Sequence, residues 1–251
     1  MKKANKKVNA SIIIVGNEIL SGRTQDVNVS TLSKWLNELG VKVEEVRIVP
    51  DNETAIIHTV NFLRKRFNYI FTTGGIGPTH DDITSKSIAK AFKLKYGKHQ
   101  EAHKILKNYY GAKNFNIGRQ KMAMMPTKAS LILNPSSGAP GFIVDNVYCL
   151  PGVPSILKSM LGGLNNKIKG GKKILSKTIS LQTVESEIAK SLKEAQNKFK
   201  KVDIGSYPFF RLGKIGVSIV MRSTDKKKID DCNKEIVSFV KRKKINQISK
   251  K

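Results

Sequence analysis

The sequence predicts an α/β protein: a three-layer, doubly wound, mostly parallel sheet followed by a second, smaller α/β domain. Three observations carry this. Ser11-Ile12-Ile13-Ile14-Val15 and Tyr69-Ile70-Phe71-Thr72-Thr73 are short β-branched and aromatic runs, the look of strands covered on both faces. From Ser11 to Phe92 such strands alternate with helical spacings in the order βαβαβα, which implies parallel strands joined by right-handed crossovers. After Gly162-Gly163 and Lys169-Gly170-Gly171-Lys172 the order changes to β-α-β-β-α.

Each element has its own signal. Asp26 can cap a helix in which Val29, Leu32, Trp35, Leu36 and Leu39 keep helical spacing, and Gly40 stops it. Lys42 to Val49 reads as the second strand, and Pro50-Asp51-Asn52 turns into a helix from Glu53 to about Arg66. A helical pattern spans Thr84 to Phe92, and another runs from about His99 to Tyr110. Leu131–Leu133 and Val147–Leu150 read as strands, and the stretch from Asn134 to Phe142 is too rich in Gly and Pro for regular structure. Pro154 launches a helix to about Leu161. The second domain is read as strand Ile174–Leu181, helix Glu185–Phe199, strands Val202–Tyr207 and Lys214–Met221, and helix Lys226–Val240. The first domain is placed at residues 8–164 and the second at 172–245, with a charged tail from Lys241 expected to fray.

Composition narrows the function. The 251 residues carry a formal net charge of +27, a field that attracts anions. The cations are mostly Lys spread along the chain, and no Arg-and-aromatic stripe is read as a nucleic-acid platform. Nucleic acid is therefore not expected as a partner. Two cysteines, Cys149 and Cys232, exclude a disulfide framework or a Cys-rich zinc site. The basic Met1–Lys7 stretch precedes an apolar run too short for a signal peptide, and no segment is long enough to span a membrane. A cytoplasmic protein is expected.

The chemistry concentrates in Thr73-Gly74-Gly75-Ile76-Gly77-Pro78-Thr79-His80-Asp81-Asp82-Ile83-Thr84. Strand, glycine turn and helix start is an arrangement that binds phosphate, because glycines admit close approach and free N–H groups point at the anion. Adjacent Asp81 and Asp82 would repel a bare phosphate but suit a divalent ion bridging carboxylate and phosphate oxygens. One of them could instead cap the helix. In a doubly wound sheet, ligands sit beyond the carboxyl ends of the strands. That rim also receives the Gly16–Gly22 loop, with Glu18 as a lone charge, and the Asp51 turn, where Asp51 could equally be an N-cap. Gly138 and Gly141 would let backbone pass close to a flat ring, or serve turn chemistry alone. Arg119 and Lys121 could pair with a ligand phosphate. His99 and His103 lack the His-Glu-x-x-His pattern, whereas His80 lies beside the aspartates.

Together these loops resemble the molybdopterin-binding (MoaB/Mog-like) domain, and the doubled Asp before Ile83-Thr84 resembles its competence/damage-inducible protein A (CinA-like) branch. Gly16-Asn17-Glu18-Ile19-Leu20 with Asp26-Val27-Asn28 is similar to the family's first loop, and Val49-Pro50-Asp51-Asn52 to its second. Asn134, Gly138 and Ala139-Pro140-Gly141-Phe142 resemble its Gly/Pro loop, and Leu150-Pro151-Gly152-Val153-Pro154 its last. Ile204-Gly205-Ser206-Tyr207-Pro208 resembles the small domain, also similar to one attached to eukaryotic FAD synthases. The chain departs at Ile156-Leu157, where the family usually has Glu and Met. The resemblance implies a metal-dependent pyrophosphatase acting on a dinucleotide such as ADP-ribose or FAD. Molybdopterin adenylylation, ligand binding without chemistry and a nucleic-acid binder related to competence are the alternatives. It implies Asp82, Asp81 and Asp51 as catalytic residues, with Asp81 and Asp82 holding Mg²⁺ or Co²⁺. Gly16, Glu18, Thr73, Gly74, Gly75, Gly77, Thr79, Asn134, Gly138, Gly141, Pro151 and Gly152 would contact a nucleotide or pterin. A homo-oligomer is expected.

Overall fold

The computed structural model describes residues 8–211 and 213–248, so the basic Met1–Lys7 stretch lies outside the described residues. The chain divides into two units between Gly171 and Lys172.

The first unit contains β1 (Val8–Val15), α1 (Asn17–Leu20), α2 (Asn28–Glu38), β2 (Val41–Val49), α3 (Glu53–Leu63), β3 (Tyr69–Thr73) and α4 (Thr84–Ala91). Then follow β4 (Tyr96–Lys98), α5 (Gln100–Tyr110), α6 (Ile117–Lys121), β5 (Met124–Pro126), β6 (Ser130–Ile132), β7 (Gly141–Val144), β8 (Val147–Leu150) and α7 (Pro154–Leu161). The main sheet has the order β2-β1-β3-β8-β7-β6. Strands β2, β1, β3 and β8 are parallel, whereas β7 is antiparallel to both β8 and β6. The sheet is thus the doubly wound, mostly parallel one expected. Strand order reverses at β1, which has β2 on one side and β3 on the other.

Strand β1 explains the three layers. Its alternating side chains feed two separate cores. Ile13 and Val15 join Ile56, Val60 and Leu63 of α3, Ile88 of α4 and Leu106 of α5. Ala10, Ile12 and Ile14 join Leu32 and Leu36 of α2 and Leu157, Met160 and Leu161 of α7. All five of these β1 residues are almost fully buried, so the strand reads as continuously apolar rather than alternating. The helix starts follow the expected chemistry. Asp26 Oδ1 accepts the Val29 N–H at 2.9 Å, and Asn52, not Asp51, caps α3 by accepting the Ala55 N–H at 3.0 Å. Gly40, at φ +73°, ends α2.

Some local readings change. The Gly16–Gly22 loop contains the short helix α1. Gly141 and Phe142 open β7 rather than belonging to an irregular loop. A Cβ at Gly141 would lie 2.4 Å from the Cys149 carbonyl, so the missing side chain is what lets this strand pair. The hairpin pair β4 and β5 has no signal in the sequence periodicity because each strand is three residues long. Leu164 and Ile168 are buried in the α2/α7 core and the Gly171 N–H donates to Gly40, so the chain stays with the first unit up to Gly171.

The second unit contains β9 (Leu175–Leu181), α8 (Glu185–Lys198), β10 (Asp203–Arg211), β11 (Lys214–Ser223) and α9 (Lys226–Arg242). Its antiparallel sheet, ordered β10-β11-β9, packs Leu181, Val217, Ile219 and Met221 against Ile188 of α8 and Ile229, Cys232 and Ile236 of α9. Strand β10 continues past Tyr207 through Pro208, which an edge strand tolerates. The tail does not fray over its described part. Gln247 bridges Leu181, the Gln182 N–H donates to Asn246 at 2.9 Å, and the Ile248 N–H donates to Ser180 at 2.8 Å. Pairing to the free edge of β9 outweighs the charge of the segment. Among the described residues, no helix is long and apolar enough to cross a membrane.

Candidate functional site

Five connections meet at the carboxyl rim of the main sheet. In sheet order they follow β2 at Asp51, β1 at Gly16, β3 at Gly74, β8 at Pro151 and, two strands further, β6 at Asn134. The topology therefore brings all the expected loops to one edge.

The turn after β3 is the most constrained. Gly74 and Gly75 have φ of +96° and +68°. A Cβ on Gly74 would lie 2.2 Å from the Val15 carbonyl oxygen, and one on Gly75 would lie 2.1 Å from Thr84 Oγ1. Both positions therefore require glycine. The Gly74 N–H donates to Leu150 and the Thr84 N–H to Gly75, which fixes the turn to β8 and to the start of α4. Between them the N–H groups of Gly75, Ile76 and Gly77 have no partner among the described residues. The start of α4 has no side-chain cap, so behind Thr84 the Ser85 and Lys86 N–H groups also have no partner among the described residues. Beneath the turn, the buried hydroxyls of Thr73 and Thr84 have no hydrogen-bond partner among the described residues.

Asp82 is half-buried, and its Oδ2 accepts from both the N–H (2.8 Å) and the hydroxyl of Thr79. Its Oδ1 has no hydrogen bond among the described residues. Neither aspartate caps α4, whose N-cap is Ile83. Asp81 is exposed. Its carboxyl is held below the usual range, chiefly by the neighbouring Thr79 side chain, then by its own backbone N–H and by the nearby His80 and Lys121. Helix α6 lies against this turn. Lys121 Nζ donates to the Thr79 carbonyl, whereas Arg119 stacks 4.1 Å from the Tyr110 ring centre and bonds the Asn114 carbonyl. The two basic residues expected as phosphate partners thus separate: Lys121 reaches the glycine turn and Arg119 does not.

The other loops are tied to this centre. Asp51 Oδ2 accepts the Asn17 N–H at 2.8 Å, so Asp51 holds the first loop rather than capping α3. Glu18 is exposed, and its carboxylate folds back over Gly16, where a Cβ would meet it at 2.6 Å. Gly152 lies against Gly74, its Cβ position 3.4 Å from the Gly74 Cα, and its carbonyl accepts from Asn28 Nδ2 at 2.7 Å. Pro151 is half-buried beside it. Asn28 itself is buried, and its Oδ1 has no partner among the described residues. Sequence reasoning placed Asn28 in the first loop but gave it no role. The available signal was a polar residue in the first turn of α2, where it crosses to a loop that lies far away in sequence.

The Asn134 loop is built for itself. Asn134 Oδ1 accepts from the Ser136 and Ser137 N–H groups, and Nδ2 donates to Ser137 Oγ and the Ala139 carbonyl. Its amide is saturated. Gly138, at φ +71°, lies under Tyr109, whose ring a Cβ would meet at 2.5 Å. Internal packing thus accounts for Gly138, as it does for Gly141. Ile156, which stands where a carboxylate was expected, packs against the α2/α7 core. His99 caps α5 and lies 3.1 Å from the Ala129 carbonyl, and His103 stacks edge-on against Phe115, so they form no metal pair.

Among the described residues, no group of three or more His, Cys, Asp or Glu could hold a metal ion. Asp81 and the free oxygen of Asp82 supply two carboxylates. That donor set does not fit an all-protein cage. It fits an ion such as Mg²⁺, which keeps waters and takes one or two carboxylates together with ligand phosphates.

Residues 11–169 match a protein-family model described as a probable molybdopterin binding domain, and residues 173–249 match one described as the FAD synthase middle domain. A protein of Archaeoglobus fulgidus is 32% identical over 197 residues, which cover 78% of this chain and 84% of that protein. A putative competence-damage inducible protein of Clostridium tetani is 38% identical over 153 residues, covering 59% of this chain and 37% of its own length. The solved structure of the protein CinA, of unknown function, from Thermoplasma acidophilum is 32% identical. It covers 65% of this chain and 99% of that chain at a TM-score of 0.60.

Proposed function

The chain belongs to the probable molybdopterin binding domain family, and from this we propose that it is a metal-dependent pyrophosphatase acting on a dinucleotide such as ADP-ribose or FAD. The observation that carries the reading is the run of unpartnered N–H groups at Gly75, Ile76 and Gly77, between a left-handed glycine pair and an uncapped helix. Such a run is an anion cradle. It would bind a phosphate of the ligand and stabilise charge developing on the phosphoryl oxygens. Lys121, at the Thr79 carbonyl, would add a cation beside it. Asp81 and Asp82 would hold the divalent ion, Mg²⁺ or Co²⁺, which when bound polarises the phosphoryl group and lowers the pKa of an attacking water. Asp51 and Asn28 position the first loop, through Asn17 and Gly152 respectively.

The family description supports a second reading, in which the same cradle takes ATP and adenylylates molybdopterin. The two are separated by incubating the protein with ADP-ribose, FAD or ATP plus Mg²⁺ or Co²⁺. Release of AMP from ADP-ribose or FAD supports the first. Release of pyrophosphate from ATP only in the presence of molybdopterin supports the second. Neither product under any metal would leave a ligand-binding module and overturn both.

A further inference from the structure

The sequence sets Arg among aromatics at Phe62-Leu63-Arg64-Lys65-Arg66-Phe67, against the expectation that no such stripe exists, and the fold adds Arg47 to it. Ile57, His58, Asn61, Phe62, Lys65 and Arg66 line a shallow groove on the outer face of α3. Arg47, from the edge strand β2, and Arg66 place their guanidinium carbons 4.5 and 4.7 Å from the Phe62 ring centre. Alongside, Arg64 stands 4.2 Å from the Phe92 ring centre and donates to Asn61 Oδ1. Phe62 is 38% exposed, so its ring is accessible from solvent. Only Arg47 has an acidic partner, Glu45 at 2.7 Å, whereas His58, Lys65 and Arg66 have none among the described residues.

We propose that this groove binds single-stranded nucleic acid. Lys65 and Arg66, beside His58, would take the phosphodiester backbone, and the Arg47 guanidinium plane held between Glu45 and Phe62 would face a base. Three features select this occupant. The polar side chains from His58 on α3 to Lys65 just past its end span about 10 Å, more than one phosphate group covers. Guanidinium groups held on a ring are pre-oriented for phosphate and present a flat surface to a base, which a duplex keeps stacked inside. Of the groove's apolar side chains only Phe62 is an exposed large one, whereas a membrane-binding face presents a row of them. The groove belongs to α3 and β2 and uses none of the carboxyl-rim residues that carry the pyrophosphatase reading.

The test is fluorescence anisotropy of the full chain with a labelled mixed-sequence single-stranded oligonucleotide across a salt series. Lys65→Ala/Arg66→Ala should lower the slope of log K against log salt by about 1.4, the loss of two single-strand phosphate contacts. Phe62→Leu keeps every charge and should still weaken binding severalfold, with an unchanged circular dichroism spectrum. Lys226→Ala/Lys227→Ala removes two exposed cations from α9 and serves as the charge control. A smaller loss in this control than in the groove pair supports the proposal. Equal losses from both double variants, full affinity in Phe62→Leu, or tighter binding to duplex or to anionic vesicles would overturn it.

Discussion

Asp51 Oδ2 accepts the backbone N–H of Asn17 at 2.8 Å, joining the turn after β2 to the start of α1. A carboxylate that reads in sequence as a catalytic or capping group is, in the fold, the tether of the neighbouring loop. Asp51→Ala should remove a charge-assisted bond worth about 1.5 kcal/mol, and the loss should stay local. Hydrogen exchange at the Asn17 amide measures it. Protection equal to the wild type would show that the tether does not hold in solution.

Asp82→Asn should abolish metal-dependent hydrolysis while leaving nucleotide affinity largely intact, and it should do more damage than Asp51→Asn. The amide oxygen can still accept from Thr79, so the turn persists, but the negative charge that holds the ion is gone. AMP release and nucleotide affinity are followed across a metal titration. Unchanged turnover at subsaturating metal removes Asp82 from the mechanism, and an equal loss of affinity and turnover makes it a binding residue.

Gly75→Ala should be destabilising by roughly 2 kcal/mol or more. It forces a side chain into the left-handed region and brings a Cβ 2.1 Å from Thr84 Oγ1. The urea midpoint should fall, and any anion binding at the turn should weaken with it. A variant with wild-type midpoint would mean that the turn relaxes without cost.

Burial pushes the Cys149 thiol up to about 12, and burial together with the charge of Glu235 pushes Cys232 up to about 11. At pH 8 neither should react with iodoacetamide until the protein unfolds. The pH dependence follows from the sign. An unfolded thiol ionises near its ordinary 9.0 while the folded one stays neutral, so stability falls as pH rises above that value and levels off past the folded values. Chemical denaturation at a series of alkaline pH values checks this. Flat stability for wild type, or the same slope in Cys149→Ala, would contradict it.

Deleting residues 246–251 should expose the edge of β9. Two backbone hydrogen bonds disappear, those from Gln182 to Asn246 and from Ile248 to Ser180, at a cost of about 1–3 kcal/mol. The Gln182 amide should then exchange faster. An unaltered exchange rate would restore the expectation of a frayed tail.

The sequence by itself determined the element order and the rim. The apolar run in β1, the glycines after β3 and the Asp26 bond at the start of α2 are local signals, set by side-chain period, φ angle and neighbouring N–H groups, so they can be read without the fold. The loops at Gly16, Asp51, Gly74 and Pro151 reach one edge because parallel strands leave no other place for them. The tertiary structure alone decided what each side chain there does. Asn28 meets Gly152 across 124 positions, Asp51 meets Asn17 across 34, and Arg47 meets Phe62 across two elements. It also turned Asn134, Gly138 and Gly141 inward, where saturated hydrogen bonds or close contacts account for them. Such partners have no fixed sequence spacing. They are chosen by packing between elements, where each buried polar group must find a donor or acceptor and each glycine marks a contact too close for a Cβ.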